Sequence, residues 1–222
     1  MKERRCKIAV LGGTGPQGSG LALRLAAAGH DVTVGSRDDA RARAVAGELS
    51  TRVGKAIQGS DNRSAAQGGE IVFLTVPYAV QRSTVESVLD ALHGKILVDT
   101  TVPLVPPRVG TVQLPQSQSA VAAIQQLAGS TVRVVSAFQN VSAQHLNELD
   151  HPVECDVLVC GDDRPSCDSV IGLCADIGLR GFYAGPIANS AAAEALTSVL
   201  ITINRRYKIA GAGIRITGLL KP

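Results

Sequence analysis

The chain has 222 residues, a formal net charge of +3, 45% hydrophobic and 3% aromatic residues, and no Trp. This length fits one large domain or one domain with a small appendage, and a core so short of rings has to be built from Ala, Val, Ile and Leu, as expected of parallel strands covered by helices on both faces. The charge is spread without a basic block and few rings are available for bases to stack on, which argues against nucleic acid and permits an anionic small ligand; no apolar stretch nears the roughly 20 residues that span a bilayer.

The start, Met1-Lys2-Glu3-Arg4-Arg5, runs straight into an apolar segment and leaves no room for a signal peptide, so a cytoplasmic protein is expected. Lys7-Ile8-Ala9-Val10-Leu11 predicts a strand, Gly12-Gly13-Thr14-Gly15-Pro16-Gln17-Gly18 a glycine turn, and residues 21–28 a helix. That succession is the context in which G-x-G-x-x-G becomes a dinucleotide-binding fingerprint rather than a turn without a ligand. Gly13 is expected to permit the tight turn, Gly15 to omit the Cβ that would hold a pyrophosphate away, and Gly18 to let the helix pack on the strand. The anion then sits on free N–H groups at the positive helix end.

Residues 30–35 predict a second strand and residues 38–49 a second helix. NAD-binding sheets commonly end this strand in an Asp or Glu that takes the ribose hydroxyls; here it ends in Gly35-Ser36-Arg37. Arg37 offers a planar fork to a 2′-phosphate and Ser36 a hydroxyl, which favours NADP. Arg41, one helical turn on, reaches toward the same anion. Asp38 or Asp39 is expected to cap the second helix rather than to bind ribose.

Residues 55–58 suggest a short third strand, and Ile71-Val72-Phe73-Leu74-Thr75-Val76 is an uninterrupted apolar run of the kind buried on both faces. Pro77 ends it, and the loop through Thr75, Val76, Pro77 and Tyr78 is expected over the cofactor, its backbone and the Tyr78 ring on the nicotinamide side. A helix over 80–92 and a buried strand over 95–99 follow. Residues 100–119 carry Pro103, Pro106, Pro107 and Pro115 and cannot be regular throughout; a loop of that length at a strand's carboxyl end is usually functional. A helix over 120–127 and a strand over 132–137 complete the first part. Strands at 156–160 and 181–183 and helices at 164–177 and 190–203 are expected beyond a soft boundary at 145–151.

The fold class is therefore α/β, a Rossmann-like doubly wound and mainly parallel sheet with helices on both faces, residues 1–147 forming the NADP-binding domain and 148–222 a smaller C-terminal portion. Five cysteines, Cys6, Cys155, Cys160, Cys167 and Cys174, lack C-x-x-C spacing and read as reduced core thiols rather than metal ligands. His30, His93, His145 and His151 share no ligand-like spacing and read as structural or solvent-facing.

With these residues assembled, the chain resembles the NADPH-dependent reductases of the deazaflavin coenzyme F420 over nearly its whole length. The marks are the glycine turn, Leu21 to Ala26, Val34-Gly35-Ser36-Arg37 and Thr75-Val76-Pro77-Tyr78. Val135-Ser136-Ala137, Val159-Cys160-Gly161-Asp162-Asp163, Ala184 to Ser190, and Glu194-Ala195-Leu196-Thr197 are the more specific later ones. The resemblance implies a homodimer whose C-terminal portion covers the sheet and lines the second-substrate site. It implies NADP contacts at Thr14, Gly15, Gln17, Ser36, Arg37, Arg41, Thr75, Pro77 and Ala137, with Pro16 and Val76 inside the same two loops. It implies a deazaflavin side at Pro103, Phe138, Gln139, Asn140, Val141, Thr197, Gly211 and Ile214. Two departures fall on that side: Gln139-Asn140-Val141-Ser142 stands where archaeal members carry His-Thr-Ile-Pro, and Ala195 stands where they carry a hydroxyl residue.

A hydride passing directly between two ring cofactors needs no protein nucleophile, so no catalytic side chain is expected. Arg205, Arg206, Tyr207 and Lys208, with Arg215, either attract the deazaflavin's phosphate and glutamate tail or form a solvated surface run. Three readings stay open: an NADP:F420 oxidoreductase; a reductase of a flavin, pterin or imine, although imine reductases of related fold usually carry a longer helical dimerisation region; and an NADPH-binding sensor.

Overall fold

Apolar runs too short for helices and bounded by glycine, proline or charge become the central strands of the sheet. In the computed structural model, which describes residues 5–218, these are β1 (Lys7–Leu11), β4 (Ile71–Leu74) and β5 (Ile96–Asp99). With β2 (Asp31–Ser36), β3 (Gln58–Asp61) and β6 (Arg133–Ser136) they form one six-stranded sheet, every pair parallel, in the order β3-β2-β1-β4-β5-β6. Alternation along each strand divides the core. Ile8, Val10, Phe73 and Val98 face one side, under helices α1 (Pro16–Ala27) and α2 (Asp39–Val53). Ala9, Leu11, Leu74 and Leu97 face the other, under α3 (Asn62–Gly68), α4 (Tyr78–Val88) and α5 (Ala120–Ala128). The strand order reverses between β1 and β4, and the crevice at the carboxyl ends there is where such sheets bind ligands.

The chain then adds α6 (Ala143–Leu146), β7 (Asp156–Val159), α7 (Arg164–Asp176), β8 (Arg180–Tyr183) and α8 (Ser190–Tyr207). β7 and β8 pair in parallel as a separate two-stranded sheet, and an antiparallel bridge between Ser136 and Cys160 joins it to β6. Arg24 ties the parts together. Its buried guanidinium, on the face of α1 turned toward α6, donates to the carbonyls of His145, Leu146, Glu148 and His151 at 2.6 to 3.0 Å. The polar stretch 145–151 is thus pinned across the start of the domain.

Several expected elements shift. The third strand lies at Gln58–Asp61, not 55–58, because the glycine at 59 lets the backbone pass where a Cβ would stand 2.5 Å from the Ala42 backbone. The next helix, α3, has no counterpart among the expected elements: it is short, capped by Asp61 accepting from Ser64 N at 2.9 Å, and buries only Ala65 and Ala66 of its apolar residues. The fourth strand ends at Leu74 because the Thr75 amide and hydroxyl both turn to Leu11 O, and α4 starts at Tyr78, with Pro77 at its N-cap. α4 gives way to a 3-10 turn at Leu89–Leu92. Residues 1–4, on which the expected lack of a signal peptide rests, lie outside the described residues. Among the described residues no helix is long and apolar enough to cross a membrane.

Candidate active site

The glycine turn after β1 sets the first wall. The left-handed position is Gly12, φ 71°, not Gly13. Gly13 is required for closeness instead: its N–H donates to Val10 O and Gly35 O at 3.1 Å, and a Cβ there would stand 2.7 Å from Val10 O. Gly18 packs tighter still, 2.4 Å from Thr75 Oγ1 and 2.6 Å from Gly13 Cα at its missing Cβ. Gly15 differs, since its Cβ would meet only Gly12 O, at 3.4 Å, so that face stays open to a ligand. Gly15 is also the N-cap of α1 and has no side-chain cap, which leaves the first-turn N–H groups of Gln17 and Gly18 without an intrahelical partner.

At the end of β2, Ser36 is buried, with its hydroxyl oxygen accepting from Asp38 N at 3.2 Å. Asp38 caps α2, accepting from Arg41 N at 3.0 Å, and Asp39 pairs with Arg43. The exposed guanidiniums of Arg37 and Arg41 have no acid or carbonyl partner among the described residues.

A cleft of about 410 Å³ opens at the carboxyl ends of β1, β4 and β5. One wall is Gly15, Pro16 and Gln17 with Thr75, Val76, Pro77 and Tyr78; the other is Phe138, Gln139 and Val141 with Thr197 of α8; Thr100, Thr101, Val102 and Leu104 complete it. The two sets of residues singled out in the sequence thus face one another. Gln17 Nε2 bridges them, donating to Phe138 O at 3.3 Å. Phe138 has φ 71°, a left-handed conformation that costs a non-glycine residue about 1–2 kcal/mol. Its ring turns away from the cleft into the core, 5.9 Å from that of Phe73, so only its backbone serves the site.

The remaining candidates support the cleft from behind or lie elsewhere. Asn140 is buried and donates to Ala193 O at 2.8 Å and Thr197 Oγ1 at 3.1 Å, while Thr197 Oγ1 donates to Gln139 O at 2.9 Å. Ala137 and Pro103 are buried, adjacent to lining residues but not lining themselves. Gly211 lies against Ser142 and His145, and Ile214 O accepts from Asp156 N at 2.8 Å; both belong to a tail strapped along α6 and β7, apart from the cleft. Asp156 holds that tail, accepting from Ile216 N at 2.6 Å and taking both arms of Arg180.

Sequence reasoning missed the floor of the cleft. Asp99, fully buried at the end of β5, accepts from Gln81 Nε2 at 2.6 Å and Thr101 N at 2.9 Å, and its carbonyl accepts from Gln139 Nε2 at 2.8 Å. Burial, helped by the charge of Glu194, pushes the Asp99 carboxyl up to about 6. Glu194, whose own carboxyl burial raises, caps α5 by accepting from Ser119 Oγ, Ala120 N and Val121 N. Two buried polar atoms of lining residues, Thr101 Oγ1 and Gln139 Oε1, have no hydrogen-bond partner. The legible signal was the triplet Asp99-Thr100-Thr101 at a strand's carboxyl end.

All five cysteines are buried, and burial raises the thiols of Cys155, Cys160, Cys167 and Cys174, so none of these four is a reactive thiolate. His30 joins Cys6 N to Asp176, and the rings of His145 and His151 lie 4.9 Å apart.

Residues 7–103 match the family model described as NADP oxidoreductase, coenzyme F420-dependent. The chain is 41% identical over 221 residues to the F420-dependent NADP reductase of Methanothermobacter marburgensis, covering 96% of this chain and 99% of the relative. It is also 41% identical, over 222 residues, to that of Methanocaldococcus jannaschii, with the same two shares covered. Among solved structures, a candidate F420-dependent NADP reductase from Arthrobacter sp. FB24 superimposes with a TM-score of 0.79 at 26% identity, over 96% of this chain and 99% of that one.

Proposed function

Because the chain belongs to the family of F420-dependent NADP reductases, we propose that it transfers a hydride directly between NADPH and the deazaflavin coenzyme F420. When bound, the two coenzymes supply the chemistry between them, a hydride donor at nicotinamide C4 and an acceptor at deazaflavin C5. The protein's part is to bind, orient and dry the two rings. The carrying observation is that the turn after β1 and the 75–78 loop line one and the same cleft as Gln139, Val141 and Thr197.

The residues fit both groups. The open face of Gly15 and the free N–H groups of α1 suit a pyrophosphate, and Ser36, Arg37 and Arg41 suit a 2′-phosphate. Thr75 serves from behind: its hydroxyl is spent on Leu11 O, which leaves the backbone of Val76 and Pro77 and the Tyr78 residue to form the nicotinamide wall. Gln139, Val141 and Thr197 form the wall for the deazaflavin, with Asn140 fixing Thr197. The hydride leaves negative charge on the deazaflavin ring, and one proton taken up from water completes the reduced form, so no protein group is consumed. Residues 1–147 act in this reading as the NADP-binding domain, which also supplies Phe138, Gln139 and Val141, and 148–222 add Thr197 of α8 to that second wall. The same reading takes the protein as a homodimer, supported by Val199, Tyr207 and Ile209 exposed on α8 and just beyond it, and testable by light scattering.

Stopped-flow absorbance tests the proposal: NADPH mixed with enzyme and oxidised F420 is expected to lose its absorbance promptly, with flavin and pterin acceptors slow. NADPH that binds yet survives every acceptor would make the protein a sensor and end the proposal.

A further inference from the structure

Among the described residues, the arginine side chains that meet neither an acid nor a carbonyl number five, and they fall into two groups. Arg37 and Arg41 stand at the end of β2. Arg108, Arg205 and Arg206 line a second open cavity, of about 590 Å³, between the 100–119 loop and the last turns of α8, with no acidic residue in its lining. The arrangement is built rather than incidental. Thr202 Oγ1 donates to Gly110 O at 2.8 Å, and the missing Cβ of Gly110 would stand 2.8 Å from Thr202 Oγ1 and 3.6 Å from an Arg205 nitrogen, so the loop lies directly on the helix. Gln113 Nε2 donates to Val105 O and Arg108 O at 3.1 Å, which closes the loop and fixes the backbone that carries Arg108. The other basic groups nearby drop out: Arg215 pairs with Glu154 at 3.9 Å, and Lys208 does not line the cavity.

This cavity and the cleft share both elements. The loop supplies Thr101, Val102 and Leu104 to the cleft before it supplies Arg108, and α8 supplies Thr197 before Arg205. Arg205 follows Thr197 by eight positions on α8, about 12 Å along the axis. A ligand with its ring in the cleft and a flexible anionic chain laid along α8 would meet the three guanidiniums. We propose that Arg108, Arg205 and Arg206 cradle the anionic tail of the deazaflavin substrate, a phosphodiester followed by glutamate carboxylates. This rests on the reading of the cleft as the deazaflavin site. Placement of Arg205 and Arg206 in the last turn also suits the helix dipole, which accounts for their charge but not for Arg108 facing them across the cavity.

The test is equilibrium binding in the presence of NADP, read from deazaflavin fluorescence, with two probes: intact F420 and the ribityl deazaflavin that lacks phosphodiester and glutamates. Wild type is expected to bind intact F420 at least about tenfold tighter than the ribityl deazaflavin, and that ratio to fall toward one in R205A/R206A and to shrink in R108A. Affinities for the ribityl deazaflavin and for NADP should not change, which a general loss of structure would not allow. Equal affinity of wild type for the two probes overturns the cradle while leaving the function standing, and so do variants that weaken both probes alike. Binding of NADPH with neither probe bound overturns the cradle together with the function it rests on.

Discussion

In the proposed site, charge at the end of β2 selects the dinucleotide, and Arg37→Asp tests it. The side chain is exposed and without a partner, so its removal breaks no ion pair and strands no buried charge; stability should move by no more than about 0.5 kcal/mol. The backbone around it is held independently, by Asp38 on Arg41 N and by Asp38 N on Ser36 Oγ. A charge-assisted contact contributes about 1.5–3 kcal/mol, and solvent exposure brings this toward the lower end, so losing the guanidinium corresponds to roughly tenfold in affinity. Placing a carboxylate beside the phosphate adds repulsion. Steady-state kinetics should therefore show KM for NADPH raised by about tenfold or more and KM for NADH nearly unchanged, with the NADPH effect shrinking at high salt. Equal weakening of NADPH and NADH would make Arg37 a structural residue and refute the charge argument.

The two turn glycines should separate fold from binding. Gly15→Ala has room for its Cβ and should leave the melting temperature in place while weakening NADPH and NADH alike, whereas Gly18→Ala meets Gly13 Cα at 2.6 Å and should lower both stability and binding; a harmless Gly15→Ala in a titration would remove the pyrophosphate from that face. Arg24→Met leaves four carbonyls without their donor and should cost about 3 kcal/mol in urea unfolding, a loss under about 1 kcal/mol showing that water replaces the guanidinium. Asp99 prefers its neutral form in the fold, at about 6 against 3.8 in the unfolded chain. Its contribution to stability is complete below pH 3.8 and is lost as pH rises through about 6. The stability of wild type relative to Asp99→Asn should thus fall across that window by up to about 3 kcal/mol in urea titrations, and parallel pH profiles would contradict it.

What the sequence disclosed follows from where the physics is local. The apolar runs of β1, β4 and β5, the glycine turn and the Asp38 cap depend on neighbours within a few residues, and each is readable in order. Gln58–Asp61 has no strand propensity and pairs only because Gly59 slides against Ala42. Arg24 looks like an ordinary solvated arginine in an apolar helix, and its four carbonyls lie more than 120 residues away. The orphaned hydroxyl of Thr101 becomes conspicuous only once its backbone is seen bound to Asp99 and its side chain to nothing. Gly211 and Ile214 lie apart from the cleft because Asp156, an unremarkable acid in the sequence, holds the tail against β7.

Direct transfer across the cleft is best tested with NADPH carrying deuterium at the transferred C4 position, in a single turnover with oxidised F420. Mass and NMR analysis of the product should find the label on C5 of the reduced deazaflavin, with none released to water. Label in the solvent, or F420 left unreduced beside oxidised NADP, would contradict a hydride passed between two rings held face to face by this cleft.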